Sequence, residues 1–137
     1  MLTHRTAYRV IYGDTDKMGV AYYANHLRWF EIGRTELLRS WGVTYRQFEE
    51  NGVFLPVSEV FCKYHASAYY DETLIIETSM DARLRAVARF DYSISAQDEE
   101  RVLATGYTKH AFLDEKGRVV RPPKLLKDTI ARVLESS

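Results

Sequence analysis

The sequence predicts an α+β chain in which one long central helix is wrapped by a curved antiparallel β-sheet. Residues 22–41 place Tyr23, Leu27, Phe30, Leu37, Leu38 and Trp41 near one side at helical spacing. Beyond Pro56 the period changes to two, with Ala86, Ala88, Phe90, Tyr92, Ile94 and Ala96 alternating with Arg89, Asp91, Ser93 and Ser95. The order is one strand, the long helix, then four strands in succession, joined by connections that suit hairpins and are too short for crossover helices.

Residues 4–12 read as the first strand, ending at Gly13. The helix over 22–41 spans roughly 30 Å, and Gly42 is a natural stop. Gly33 in its middle costs about 1 kcal/mol relative to Ala, so the helix is expected to lie very close to another backbone there. Residues 44–51 form a short second helix that Gly52 ends. Residues 74–80 and 102–113 resemble 86–96 in composition, and polar connections at 71–72, 81–84 and 97–100 link them. Gly106 marks either a bulge or a close helix approach. Residues 114–117 make a turn, and 124–134 close the chain as a helix after Pro122 and Pro123. Such a sheet keeps an open face and an open edge, which dimerisation would cover.

The 137 residues are expected to form one domain, 1–137, with 46% apolar and 28% charged residues. Lysine plus arginine and aspartate plus glutamate stand at 19 each, and this balance argues against nucleic acid or an anionic membrane as partner. No apolar run approaches the ~18 residues of a membrane span. Residues 1–9 lack the apolar core of a secretory signal, so a cytoplasmic location is expected. The single cysteine, Cys62, excludes an internal disulfide and reads as a small filler beside Val60, Phe61 and Tyr64. The four histidines show no metal-ligand spacing, and neither metal nor cofactor is expected.

The chemistry concentrates in residues 12–20, Tyr-Gly-Asp-Thr-Asp-Lys-Met-Gly-Val, which run into the helix start. The same residues describe an ordinary Asp- and Gly-rich turn with a helix cap. Read chemically, Asp16 is the candidate nucleophile or general base, and Asp14 holds a turn N–H. An orphan N–H near Tyr23, aided by the helix dipole, suits a developing oxyanion. His26, one turn into the helix, is a candidate substrate contact or rim residue. Glu31 and Arg34 are spaced for an ion pair. Arg83, Arg85 and Arg89 are either solvated or a grip on a phosphate-bearing ligand. Phosphate-loop and nucleophile-elbow motifs do not occur.

Arg9-Val10, Thr15-Asp16, Gly19-Val20, Tyr22-Tyr23-Ala24-Asn25, Trp29-Phe30-Glu31, Arg34-Thr35-Glu36 and Ala68-Tyr69-Tyr70-Asp71-Glu72 together resemble the 4-hydroxybenzoyl-CoA thioesterase family, close to its Tol–Pal-associated acyl-CoA thioesterases. The resemblance implies a hotdog fold, a homodimer that pairs further into a homotetramer, and an active site at the dimer interface. It implies Asp16 as the catalytic carboxylate, the Tyr23 backbone N–H as oxyanion donor, and Gly19 as the glycine that turns the loop. The substrate is then an acyl-CoA, or an acyl group on acyl carrier protein. Tyr22, His26, Val57 and Phe61 line the acyl pocket, and Arg83, Arg85 and Arg89 face the CoA phosphates. Of the run of basic residues by which the aromatic-CoA enzyme grips the nucleotide, this chain keeps only Arg85. A non-catalytic acyl-CoA-binding hotdog module is the alternative. A hotdog dehydratase ranks lower because it needs a His paired with a carboxylate.

Overall fold

A computed structural model of the chain describes residues 2–98 and 101–136. Strand β1 (Leu2–Arg9) leads through a tight turn at Tyr12–Asp14 to helix α1 (Asn25–Ser40) and the short helix α2 (Tyr45–Glu50). Strands β2 (Val57–Tyr64), β3 (Thr73–Met80), β4 (Val87–Ala96) and β5 (Val102–Ala111) follow, and helix α3 (Lys124–Ser136) closes the chain. The strands form one antiparallel sheet in the order β1-β3-β4-β5-β2. Among the described residues no helix is long and apolar enough to cross a membrane.

Helix α1 lies across one face of this sheet, where the alternation in β3 and β4 puts Leu74, Ile76, Met80, Phe90 and Ile94 out of water. Trp29, Phe30, Leu37 and Leu38 descend from the helix onto them. Phe30 stacks on Tyr92 with ring centroids 4.2 Å apart, and Tyr8, His26 and Tyr64 bring β1 and β2 to the same helix. Gly33 is where helix and sheet come closest. A methyl group there would overlap Thr78 Oγ1 and stand 2.7 Å from Ile76 Cγ2, so the close neighbours are side chains of β3 rather than another backbone. Gly106 stays in register between β2, β4 and β5. A methyl there would meet Phe61 O and the Phe30 ring, so it marks a close approach and not a bulge.

Two boundaries differ from the sequence reading by three residues, and the others by no more than two. Strand β1 stops at Arg9, three residues early, because the chain folds back at Tyr12–Asp14 once Asp14 Oδ2 accepts the Ile11 N–H. Helix α1 begins at Asn25 rather than Tyr22. Residues before it are committed elsewhere: Ala21 N–H donates to Ala68 O at 2.8 Å and Tyr22 N–H to Asp14 O at 2.8 Å. In the expected turn over 97–100, Glu99 and Glu100 lie outside the described residues. Helix α2 starts on a reciprocal cap, with Thr44 Oγ1 accepting the Gln47 N–H and Gln47 Oε1 accepting the Thr44 N–H.

One polar chain runs through the core. Tyr92 Oη and Thr108 Oγ1 are 2.6 Å apart, Thr108 Oγ1 is 2.8 Å from His110 Nε2, and His110 Nδ1 donates to Leu55 O at 2.9 Å. A ring nitrogen facing a carbonyl must carry the proton, so in the neutral ring Nδ1 is the donor and Nε2 the acceptor. Burial pushes its pKa down to about 4. The unfolded chain takes up this proton near its ordinary value and the folded chain only near 4. The unfolded state therefore binds more protons between those values, and about 3 kcal/mol of stability is lost as the pH drops from the ordinary histidine value to about 4. Urea unfolding at pH 7 and at pH 4.5 checks this: His110→Gln is expected to lose a large part of the acid sensitivity, and an unchanged pH dependence contradicts it.

Candidate active site

The loop between β1 and α1 is built around Asp14, whose side chain is fully buried. Its Oδ2 accepts from Tyr8 Oη at 2.7 Å and from the Ile11 N–H at 3.0 Å, and its Oδ1 pairs with Arg28 of α1. Its backbone oxygen receives Tyr22 N–H and Asn25 Nδ2 at 2.8 and 2.7 Å. The turn N–H expected of Asp14 is present, together with partners from β1 and α1 that spacing alone did not indicate. One buried carboxylate thereby ties the strand end, the loop and the helix start together.

Asp16 is exposed. Its Oδ1 accepts the Met18 N–H at 2.8 Å, while its backbone closes a small turn through Asp16 N–H to Val20 O and Gly19 N–H to Asp16 O. Gly19 has φ +73°, a conformation that costs a side-chain-bearing residue about 1 kcal/mol or more, with open space where a side chain would stand. Its need is conformational.

Asp16, Tyr22 and Tyr23 line one groove of about 560 Å³, whose far wall is Tyr64 and residues 65–67. Among the described residues no acceptor faces the N–H of Tyr23 or of Ala24, the last two before helix α1. The Tyr23 carbonyl, in contrast, is crowded: Tyr64 Oη donates to it at 2.7 Å, His26 Nδ1 at 2.9 Å and the His26 N–H at 3.4 Å. Loss of solvent around the Tyr64 phenol pushes its pKa up to about 12, so it remains a donor at neutral pH.

Other predicted residues fall elsewhere. His26 is 3% exposed and packs against Trp29 and Tyr64 behind the groove wall, with Nε2 buried and unpartnered. Burial lowers its pKa, and it does not line the groove as a substrate contact. Val57 and Phe61 are exposed on the edge strand β2, outside this groove in the same chain. Phe61 stacks on Tyr107, since the period of two that points Val60, Cys62 and Tyr64 toward the helix turns Phe61 away. Arg83 is held by Asp81 and Arg89 by Asp91, each through two guanidinium nitrogens. Arg85 has no acidic partner among the described residues and shares a groove of about 520 Å³ with Arg121 and Lys127. Glu31 and Arg34 do not pair. Arg34 turns inward and donates to Tyr92 Oη at 3.5 Å, and both line an apolar-walled groove of about 630 Å³ with Tyr45, Phe54 and Leu55. Tyr64 was missed by the sequence reading. Its place two residues beyond Cys62 on one face of a strand is the signal that could have found it.

Residues 10–133 match the family model of the thioesterase-like superfamily. The chain belongs to this superfamily. As a member, it is 32% identical to the 1,4-dihydroxy-2-naphthoyl-CoA hydrolase of Synechococcus elongatus over 124 residues, covering 88% of this chain and 90% of that one. It is 36% identical to the acyl-CoA thioesterase YbgC of Haemophilus influenzae over 61% of this chain and 62% of YbgC. The match to YneP of Bacillus subtilis, 41% identical, spans half of each chain. The fold superimposes on a DHNA-CoA thioesterase structure from Staphylococcus aureus with TM-score 0.89 at 24% identity, covering 98% of this chain and 93% of that one. The superfamily member thus has the α+β hotdog fold.

Proposed function

We propose that the chain is a thioester hydrolase that cleaves acyl-CoA to a free acid and CoA. The observation that carries this reading is a groove lined by both Asp16 and Tyr23, whose N–H has no acceptor among the described residues. A thioester carbonyl set between them meets a hydrogen-bond donor on its oxygen and a carboxylate near its carbon. Asp16 either attacks the carbonyl and releases the thiolate, leaving a mixed anhydride for water to open, or deprotonates the attacking water. Tyr23 N–H holds the oxyanion in both routes, and the names of the relatives support acyl-CoA as substrate. Within the superfamily, the resemblance of the loop and helix start supports a reading of the chain alongside the 4-hydroxybenzoyl-CoA and Tol–Pal-associated thioesterases.

The working unit in this reading is the domain 1–137 as a homodimer, with pairing into a tetramer. β2 supports it, because it is a sheet edge with Val57, Val60, Phe61 and Tyr64 exposed. Antiparallel pairing of β2 with a second copy would carry the Val57 end of one chain toward the Tyr64 end of the other, so that Val57 enters the acyl pocket from the partner. The CoA phosphates fall to Arg85 with Arg121 and Lys127, because Arg83 and Arg89 already hold carboxylates. Thiol release from one acyl group carried on CoA and on pantetheine tests this: Arg85→Glu should raise KM for the CoA ester about tenfold and leave the pantetheine ester within twofold. Equal KM changes for both esters contradict the phosphate role. Absence of hydrolysis of either by the wild type contradicts the reaction, and tight acyl-CoA binding without turnover then favours a binding module.

A further inference from the structure

The Asp16 groove and the groove that holds Arg85, Arg121 and Lys127 stand at opposite ends of the sheet. β1 pairs Leu2 with Met80 and Arg9 with Thr73, so the loop after Arg9 and the hairpin after Met80 leave the sheet in opposite directions. The other strands keep this polarity. Tyr64, on the wall of the Asp16 groove, pairs with Ala104 at one end. Val87, beside the hairpin that carries Arg85, pairs with Ala111 at the other. β3 has 8 residues, a rise of about 23 Å. β4 lies two strands from β2, about 10 Å across the sheet, so the two grooves of one chain are about 25 Å apart. Arg85, Arg121 and Lys127 are exposed, and none of them pairs with a carboxylate among the described residues.

We propose that the cations serving Asp16 of one chain are Arg85, Arg121 and Lys127 of the partner subunit, so that each reaction centre borrows its phosphate grip across the dimer. This rests on the thioesterase reading of the Asp16 groove. The arm of CoA from its sulfur to its first phosphate has about thirteen bonds, the length of about four extended residues, and reaches about 16 Å. That falls short of the cations in the same chain. Antiparallel pairing through the open edge of β2 turns the second copy end for end, which brings its cation groove level with Tyr64 of the first. The separation is then three strand spacings, from β2 to the partner's β2, β5 and β4, or about 15 Å. One extended arm covers it. Pairing through the other edge strand, β1, would put the whole width of the sheet between the two grooves. The three cations come from the β3–β4 hairpin, the segment before α3 and α3 itself, and phosphate displaces no carboxylate from them.

Mixed dimers of the full chain, made from two differently tagged variants and isolated through both tags, test this by KM. In a dimer of Asp16→Asn with Arg85→Glu, one centre joins an intact Asp16 to an unsubstituted partner. It should hydrolyse an acyl-CoA at the wild-type KM, within twofold, and at about half the wild-type kcat. With both substitutions in one chain and a wild-type chain as partner, the surviving centre meets the substituted cation groove. Its KM should rise about tenfold, as in the Arg85→Glu homodimer. The pantetheine ester, which lacks these phosphates, should keep its KM within twofold in both mixed dimers. The reverse assignment of KM values, or equal KM in the two mixed dimers, overturns the shared site and leaves the thioesterase reading standing. Wild-type KM and kcat at concentrations where sedimentation finds only monomer do the same. A wild type inactive on every acyl-CoA overturns that reading and the shared site with it.

Discussion

Asp16→Asn is expected to lose turnover by about 10³-fold or more while keeping the fold and acyl-CoA binding. A side chain that supplies the nucleophile or the base is needed in the transition state alone, so its removal lowers kcat and kcat/KM together. The fold should not respond, because Asp16 is exposed and its Oδ1 does no more than accept two N–H groups of its own turn, Met18 at 2.8 Å and Val20 at 3.4 Å. The Asn side-chain oxygen can do the same. Thiol release under saturating substrate measures the first expectation, and thermal melting together with equilibrium binding of an acyl-CoA measures the second. An Asn variant with kcat within tenfold of the wild type contradicts the role of Asp16.

Asp14→Ala should have the opposite profile, with loss of stability first and of activity as a consequence. The buried carboxylate satisfies the Tyr8 hydroxyl, the Ile11 N–H and Arg28 at once. Removing one partner of a buried ion pair costs about 3–5 kcal/mol. The Arg28 side chain is half exposed, so water recovers part of its share and the lower end, about 3 kcal/mol, is expected. Asp14→Asn keeps acceptors for the tyrosine and the backbone, and should lose about half as much. Because Asp14 also sits where the backbone receives Tyr22 and Asn25, the loop and helix start that carry Asp16 and Tyr23 are expected to loosen with it. Urea unfolding of the two variants checks the order. Equal stability of wild type and Asp14→Ala would remove Asp14 from the account.

The fold was legible because its signals are periodic. Alternation along 86–96 and helical spacing along 22–41 each follow from one buried face, and β4 and α1 stand where those patterns lie. The two boundaries misplaced by three residues both sit at the Asp14 loop, where hydrogen bonds from distant residues override local pattern: the Ala68 carbonyl claims Ala21, and Tyr8 and Arg28 converge on Asp14. The division between a structural Asp14 and an exposed Asp16 was foreseeable from turn chemistry. Partners of charged side chains were not. Arg83 and Arg89 are quenched by Asp81 and Asp91 two residues away on the same strand face or turn, and Arg34 bypasses Glu31 for a tyrosine on β4. Those choices depend on which way a long side chain leaves its element. The hydrogen bond of Tyr64 to Tyr23 O is of the same kind, since nothing local to β2 announces a carbonyl at the start of α1.

The most direct measurement of the central claim is thiol release by the purified wild-type chain across a panel of straight-chain and aryl-CoA esters, run beside Asp16→Asn at equal concentration. The account predicts stoichiometric release of CoA and free acid from at least one ester by the wild type, and release by the variant slower by about 10³-fold. Release at equal rates from both proteins, or from neither on any ester, would contradict it.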